Sequence, residues 1–213
     1  MAASSQRTRV QRHPERGIYD RRAIDAILDE ALLCHVGFVH DGHPFVIPTI
    51  HARINETLYL HGSPASRMLD ALDGGDVCVT ATLIDGVVLA RSVFHHSLNY
   101  RSVVVLGRAR IVRERREKLQ ALEAVVEHIV PGRSRDARGP NEKELATTCV
   151  AAIELAEASA KVRSGPPKDL ASDLALTVWA GVVPLTLTPG DPIADEALPA
   201  GVPAPPYAAR YER

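Results

Sequence analysis

The fold is decided by residues 34–62, CHVGFVHDGHPFVIPTIHARINETLYLHG. Three apolar runs are separated by two turn signals, Asp41-Gly42 and Asn55-Glu56. An Asp-Gly pair between apolar runs is a strong hairpin signal, because both residues tolerate the left-handed backbone of a tight turn. The stretch therefore predicts a three-stranded antiparallel meander, in which Pro48 favours an edge position or a bulge.

The segments on either side of the meander favour an antiparallel barrel. A further turn signal, Asp85-Gly86, follows the β-branched run DVCVTATLI. More strands are predicted at about 87–97, 100–112, 149–155 and 177–187, and helices at about 21–33, 63–73, 114–129 and 141–148. Strands and helices do not alternate regularly, which argues against a doubly wound parallel sheet. A closed or nearly closed antiparallel barrel with helices over its ends fits this order better.

Composition restricts the class of protein. The 213 residues include 25 Lys and Arg against 26 Asp and Glu, and this balance argues against a nucleic-acid partner. No apolar run approaches the roughly 18 residues that a membrane-spanning helix needs, so no membrane partner is expected. Cys34, Cys78 and Cys149 form no CxxC pair, which favours reduced thiols in a cytoplasmic protein.

The chain is expected to hold one domain with two polar ends. Residues 1–17 are basic and predicted to be flexible, and the domain itself is expected over residues 18–190. Residues 191–213 are rich in Pro and Ala, which is typical of a tail that drapes over a surface or is mobile.

The motif LYLHGSPASRMLDAL, residues 58–72, is the strongest candidate for chemistry. Ser63 suits the N-cap and Pro64 the first position of the helix that follows, which leaves the next amides free. Arg67 in the first turn opposes the helix dipole unless an anion binds there. Free amides, two hydroxyls and a guanidinium make an anion site that suits phosphate, although a plain capped helix with a solvated arginine remains the alternative.

Other candidates are less specific. Five histidines lie on neighbouring predicted strands without a zinc spacing, so scattered histidines are favoured over a metal site: His35, His40, His43, His51 and His61. Arg101 lies on an otherwise apolar strand and needs an anion or a carboxylate if it faces inward. Lys161 and Arg163 lie in a predicted Gly-Pro loop that is either solvated or closes over an anionic ligand. Trp179 is a core residue or a cofactor platform.

Five stretches together carry a resemblance to a known family: CHVGFVHDGHPFVIPTI, LYLHGSPASRMLDAL, VCVTAT, SVFHHSLNYRSVVVLGRARIV and VWAGVVPL. The chain resembles the FMN-binding split-barrel proteins of the pyridoxamine 5'-phosphate oxidase-like superfamily, nearest to the branch related to nitroimidazole reductases. The resemblance implies a mainly β fold, a six-stranded antiparallel split barrel of Greek-key type with flanking helices. It also implies a homodimer with FMN at the subunit interface.

The resemblance further implies which residues contact the flavin. Ser66 and Arg67 match the phosphate site, and Met68 stands where those oxidases have a lysine. Ser63 and the helix amides would compensate for that lost cation. His61 and Gly62 match the turn beside the ring and ribityl chain, and His61 is the predicted catalytic residue. The remaining implied contacts are Val46, Ile47, Pro48 and Thr49 along the isoalloxazine edge, Val79 and Thr80 on its other side, Trp179, and Arg101 and Lys161 from the partner subunit.

The function that the resemblance implies is that of an FMN-dependent oxidoreductase. Electrons would pass from a reduced nicotinamide or deazaflavin donor to a small organic acceptor, with His61 donating a proton or a hydrogen bond. The arginines that bind the substrate phosphate in true pyridoxamine phosphate oxidases have no counterpart here, so vitamin B6 oxidation is not expected. Two alternatives stay open: a non-catalytic flavin carrier or sensor, and a haem-binding split barrel with His95 or His96 as axial ligand.

Overall fold

The structure is a computed structural model that describes residues 3–212. Its strands are β1 (Gly17–Ile18), β2 (Leu33–His40), β3 (His43–Ile54), β4 (Thr57–Gly62), β5 (Asp76–Leu89), β6 (Ser97–Ile111), β7 (Cys149–Glu154), β8 (Glu157–Arg163) and β9 (Gly181–Pro184). Its α-helices are α1 (Arg21–Glu30), α2 (Arg67–Ala71), α3 (Arg115–Ile129), α4 (Glu142–Ala146) and α5 (Pro206–Ala209). The described helices include none long and apolar enough to cross a membrane.

The strand pairings close into a ring of six strands, which confirms the predicted split barrel. Around the ring, β2 pairs with β3, β3 with β4, β4 with β7, β7 with β6, β6 with β5, and β5 with β2, all antiparallel. The remaining strands extend this ring outward, because β8 pairs with β6, β1 with β8, and β9 with β5.

The predicted meander is β2, β3 and β4. Asp41 and Gly42 have φ of 51° and 74°, and Asn55 has φ of 54°, so both tight turns use the left-handed region that their residues tolerate. Over its first half β3 has only β2 beside it, which gives Pro48 the predicted edge position.

Two loop predictions were wrong. Asp85-Gly86 is not a turn: β5 runs on to Leu89, with only a register irregularity between Ile84 and Gly86. The glycine serves close packing instead, because a Cβ at Gly86 would lie 2.9 Å from the Val183 carbonyl oxygen of β9. Residues 157–163 form β8 rather than a loop, since β6 and β1 pair with them.

Three of the predicted helices form close to their expected bounds. The Asp20 side chain caps α1 by accepting from the Ala23 amide at 3.1 Å. Asn141 and Glu144 make a reciprocal capping box on α4. α1 packs on the apolar interior of the barrel, while α3 covers a second cluster on the outer face of β4 and β7 that includes Tyr59 and Val150.

Both chain ends contact the barrel domain. The Val10 amide donates to Tyr19 Oη at 2.9 Å, which holds the N-terminal segment beside β1. At the other end, Tyr211 Oη donates to the Ile129 carbonyl oxygen at 2.5 Å, and Tyr207 Oη donates to Asp136 at 2.6 Å. The tail therefore returns to the end of α3.

Candidate functional site

The strands β3 and β4 separate where α2 begins. Their pairing runs from Ile54–Thr57 to His51–Leu60 and then stops. Beyond it, β4 pairs only with β7, and β3 pairs only with β2. We call this opening the β3–β4 split and define it by Val46–Thr49 on one side and His61–Arg67 on the other. Backbone groups along the facing edge of β3 are free of a second strand, so they can bind a ligand.

The helix that borders the split begins later than predicted. Its N-cap is Ser66, and Arg67 is the first helical residue. Ser63 instead shapes a turn, since its carbonyl oxygen accepts from the Ser66 amide at 2.9 Å and its Oγ accepts from the Ala65 amide at 3.2 Å. The amides without an intrahelical acceptor are therefore those of Arg67, Met68 and Leu69.

Arg67 is held in place without being neutralised. Its guanidinium carbon lies 4.5 Å from the centre of the Phe45 ring, a cation–π contact. The side chain is exposed, and it forms no ion pair with any residue that the structure describes. Asp70, in the same helical turn, lies 3.9 Å from His40 Nδ1 instead. One guanidinium thus remains available for an anion at the mouth of the split.

His61 carries a shielded and unsatisfied nitrogen. It is directly opposite Val150 in the β4–β7 ladder, so its side chain lies on the same face of the sheet. Nδ1 is inaccessible to solvent and has no hydrogen-bond partner among the described residues. Burial lowers the pKa of the imidazole below its usual value. The ring is therefore biased towards its neutral form.

Packing explains the residue types at two positions near the end of β4 and the start of α2. Met68 is only 4% exposed and belongs to the barrel core, so its side chain does not reach a phosphate on the surface. At Gly62, an added Cβ would lie 3.2 Å from Leu69 Cδ1. The glycine therefore lets α2 approach the end of β4.

Other predicted contacts lie on the outer face of the barrel. Thr80 is opposite His35 on one side and Val104 on the other, and His35 is also opposite Pro48. Val79, by contrast, is fully buried in the core, so only its backbone could touch a ligand. Val46 is 68% exposed on the same outer face.

Arg101, Lys161 and Trp179 lie elsewhere in this chain. Arg101 contacts Glu30, with Nη2 to Oε1 at 2.8 Å, and Asp85, with Nη2 to Oδ1 at 2.8 Å, so two carboxylates satisfy it and raise its pKa. Lys161 is opposite Ser102 in the β8–β6 ladder. Trp179 precedes β9 and is 67% exposed. One chain does not bring these residues to the split.

The sequence reasoning missed Phe45. This residue stacks on Phe38 with ring centres 5.7 Å apart and presents its other contact to Arg67. Phe45 lies on β3, three residues after the turn glycine Gly42. The sequence therefore predicted a strand there, but it gave no sign that the ring contacts a guanidinium. Only the return of the chain through α2 brings Phe45 and Arg67 together.

Two described cavities lie away from the split. One, of about 990 Å³, lies between Arg101, residues 82–85 of β5 and the C-terminal tail. The other, of about 850 Å³, lies between α1 and α3 beside His128. In the part of the chain that the structure describes, no three His, Cys, Asp or Glu side chains are grouped to hold a metal ion.

Comparisons with known proteins agree with this geometry. The flavocytochrome Anf3 from Azotobacter vinelandii is 41% identical, with 96% of this chain and 95% of that one covered and a TM-score of 0.91. An FAD and haem binding protein from Mycobacterium smegmatis is 37% identical, with 90% and 94% covered and a TM-score of 0.86. A protein named for 5-nitroimidazole antibiotic resistance from Bacteroides thetaiotaomicron is 26% identical, with 68% and 86% covered and a TM-score of 0.57. A search of curated proteins finds no match.

The family is shown by a direct match to its sequence model. The model described as pyridoxamine 5'-phosphate oxidase matches residues 20–162, which include the whole six-stranded ring and the β3–β4 split. The two relatives above 35% identity extend the likeness beyond residue 162, because they cover 96% and 90% of the chain. The chain therefore belongs to the pyridoxamine 5'-phosphate oxidase family.

Proposed function

We propose that this protein binds a flavin nucleotide at the β3–β4 split and acts as a flavin-dependent oxidoreductase. The observation that carries the proposal is the unpaired Arg67 guanidinium beside free helix amides, at the position the resemblance assigns to the flavin phosphate. The two relatives at 41% and 37% identity, a flavocytochrome and an FAD and haem binding protein, support it.

The residues of the split fit the parts of a flavin nucleotide. Arg67, the hydroxyls of Ser63 and Ser66, and the first amides of α2 suit a phosphate group. The free edge of β3 at Val46–Thr49 offers backbone donors and acceptors to the polar rim of the isoalloxazine. The flavin supplies the electron transfer, and the protein supplies binding and orientation.

The name of one relative favours FAD over the expected FMN. The phosphate of FMN carries up to two negative charges and the diphosphate of FAD carries two in total, so charge does not choose between them. Met68 lies in the core and contributes no charge, so Arg67 is the one cation at the start of α2. Arg67 could pair with a phosphate of either nucleotide, and we propose FAD because the relative at 37% identity is named for FAD.

His61 is the proposed proton or hydrogen-bond donor. It is the penultimate residue of β4 at the split, and its shielded Nδ1 has no partner among the residues that the structure describes. Because the pKa of His61 is lowered, a bound anionic group would be needed to stabilise the protonated ring. Beside a neutral acceptor, the ring would be neutral. Either way, the ring is placed to exchange a proton or hydrogen bond with a molecule in the split.

We further propose that two copies form a homodimer through the outer face of β2, β3, β5 and β6. This face presents apolar side chains to solvent, including Leu33 at 50%, Val46 at 68% and Val104 at 36% exposure. An apolar sheet face of this kind is typical of a protein interface. A second copy would also bring Lys161 towards the split, which one chain alone does not do.

The proposal is tested by purifying the protein, recording its absorbance and identifying the released nucleotide. We expect flavin bands and FAD in the released fraction. The variant Arg67→Ala should weaken flavin binding by about 1.5–3 kcal/mol, the scale of a charge-assisted hydrogen bond, or roughly 10- to 150-fold in Kd. Arg116→Ala is the matched control, because Arg116 is exposed and far along the chain on α3. Equal flavin affinity in the two variants would refute the phosphate assignment.

A haem site is a second candidate function, favoured by an apolar surface that contains a preoriented histidine. Val93 and Phe94 are 92% and 88% exposed, beside His95 and His96. The segment 169–181 lies next to them, since the Arg91 amide donates to Asp169 Oδ1 at 3.0 Å and Leu89 pairs with Gly181. This surface includes residues beyond 162, where the family model ends. The matches to the flavocytochrome and to the FAD and haem binding protein extend beyond that residue.

We assign His96 as the axial ligand. Its Nδ1 lies 3.0 Å from the Ser92 carbonyl oxygen, and an Nδ1–H donor there leaves Nε2 as the free, outward nitrogen. Histidines that bind metals are commonly oriented in this way. The purified protein should show a Soret band, or acquire one with haemin. His96→Ala should shift or abolish that band, whereas the exposed His43→Ala should not. An unchanged Soret band in His96→Ala would sink the assignment.

A further inference from the structure

The larger of the two cavities lies between the barrel and the C-terminal tail, and we call it the tail cavity. Its inner wall includes residues 82–85 of β5 and Arg101, and its outer wall is formed by residues 185–191 and 209–212. Its volume is about 990 Å³, at the upper end of the range that small-molecule pockets occupy, roughly 300–1,000 Å³. None of the residues that define the β3–β4 split lines it. It is therefore a separate space that the proposed flavin site does not use.

Hydrogen bonds hold both parts of the outer wall against the domain. The Leu185 amide donates to the Asp85 carbonyl oxygen at 3.1 Å, directly after β9 ends at Pro184. At the other end of the wall, Tyr211 Oη donates to the Ile129 carbonyl oxygen at 2.5 Å. The tail cavity is therefore bounded by segments that are bonded to the rest of the domain on either side.

Arg101, on the inner wall, is already engaged by carboxylates. Its Nη2 donates to Glu30 Oε1 at 2.8 Å and to Asp85 Oδ1 at 2.8 Å, and its Nε donates to Asp85 Oδ2 at 3.1 Å. Its Nη1 donates to the other oxygen of Glu30. Each nitrogen of the guanidinium therefore has an anionic partner, so Arg101 is not free to attract an anionic ligand. The carboxylate oxygens keep further lone pairs, which can accept from a ligand.

The charge on the walls of the tail cavity is negative overall. Among the described residues, the outer wall carries Asp191 and Glu212 but one cation, Arg210. These three side chains are exposed and form no ion pair with any residue that the structure describes. Together with the inner wall, the described lining has four carboxylates and two guanidinium groups, a formal net charge of −2. A cation is therefore attracted into the cavity, and an anion is repelled.

Much of the remaining lining is apolar. The aliphatic side chains on the two walls are Leu32, Leu83, Ile84, Leu185 and Leu187. Ile84 and Leu187 are 51% and 87% exposed, so an apolar group in the cavity would remove their surface from water. Threonine hydroxyl groups at 82, 186 and 188 add donors and acceptors. A molecule that fits both the charge and the apolar surface has an apolar body and a positively charged head.

We infer that the tail cavity is a binding site for a small amphipathic organic cation, of the class of aryl-alkyl amines. The ammonium group of the ligand donates to carboxylates of the lining, of which Asp191 and Glu212 have no competing cation in an ion pair. The apolar body packs on the aliphatic side chains of the two walls. This site does not depend on the proposed flavin function, because it shares no lining residue with the β3–β4 split.

The test is calorimetric titration of the full chain with two probes that share one apolar body. Dansylcadaverine ends in an ammonium group, whereas dansyl-6-aminohexanoate ends in a carboxylate on a chain of the same length. The ammonium probe should bind at least about tenfold more tightly at low salt, because the lining is negative. Asp191→Asn with Glu212→Gln should weaken the ammonium probe about fivefold and strengthen the carboxylate probe, since two negative charges are lost.

Asp195→Asn with Glu196→Gln is the matched control, because it makes the same change in the exposed tail outside the cavity lining. Both probes should bind this variant as they bind the wild type. Thr188→Trp, at an exposed position of the lining, should weaken both probes because the indole fills the cavity. Equal affinity of the wild type for the two probes, or equal weakening by the two double variants, would overturn the assignment. Unchanged binding to Thr188→Trp would place the probe elsewhere, and no binding at about 1 mM probe would exclude the site.

Discussion

Burial of His61 makes the stability of the folded protein depend on pH. Its pKa is lowered by desolvation, so the unfolded chain takes up a proton on this residue at a higher pH than the folded one does. The unfolded state therefore binds more protons as the pH falls below about 6.5, and stability is lost in that direction. Above that pH the residue is neutral in both states and contributes no pH dependence.

The predicted outcome is a difference between the wild type and His61→Gln. Between about pH 8 and about pH 5, the free energy of unfolding should fall further in the wild type, by a small amount because the ring is only partly buried. Urea unfolding of the flavin-free protein at both pH values measures it. His43→Gln, at an exposed position, should follow the wild type. If His61→Gln loses as much stability as the wild type, the shielded imidazole is not the cause.

For single residues, the sequence predicted which residues belong to the candidate site better than it predicted their contacts. Arg67 was expected either to bind an anion or to be solvated, and the structure leaves it without an ion pair among the described residues. Its support by Phe45 was not foreseen, because the two residues are 22 positions apart and meet only through α2. The burial of Met68 was also not foreseen. Its side chain packs in the core, so it does not lie at the surface where a lysine would meet a phosphate.

Among the elements, local chemistry decided what could be predicted. The meander was predictable because its turn residues adopt left-handed conformations that few others tolerate, at Asp41, Gly42 and Asn55. The same reasoning failed at Asp85-Gly86, where the glycine admits the backbone of β9 instead. β8 was read as a loop, since its pairing partners β1 and β6 lie far away in sequence. Pairing at long range therefore overrode the local signals.

The start of α2 shows the limit of cap signals. Ser63-Pro64 has the composition of an N-cap and a first helical residue, yet a turn intervenes and Ser66 becomes the cap. Both serines are acceptable caps, so local propensity does not separate them. The cap moves three residues along the chain, so the free amides are those of Arg67, Met68 and Leu69. An anion site could be proposed from the sequence, but its donor amides could not.

For the whole molecule, closure of the barrel leaves a face that the chain itself does not cover. The ring of six strands buries its interior, whereas the outer face of β2, β3, β5 and β6 keeps Leu33, Val46 and Val104 exposed. The candidate flavin contacts share this face. Val46 of the split lies on it together with Thr80 and Lys161. A second copy would cover the face and complete the site at once.

If the flavin site needs both copies, one substitution in the interface should remove the dimer and the bound flavin together. Val104→Glu places a charge in the middle of the outer face, where burial in a dimer would be costly, so the dimer should dissociate. Sedimentation velocity at about 10 µM should give twice the chain mass of 23.0 kDa for the wild type and a single chain mass for the variant. Flavin content should fall with the dimer, because the site would need residues of both copies.

Val126→Glu is the matched control for this prediction. Val126 lies on α3 and is 37% exposed, almost the same as the 36% of Val104, so the two changes cost similar amounts of local solvation. The control should stay dimeric and keep its flavin. A dimer that survives Val104→Glu would place the interface elsewhere, and a monomeric wild type that holds flavin would show that one chain completes the split without a partner.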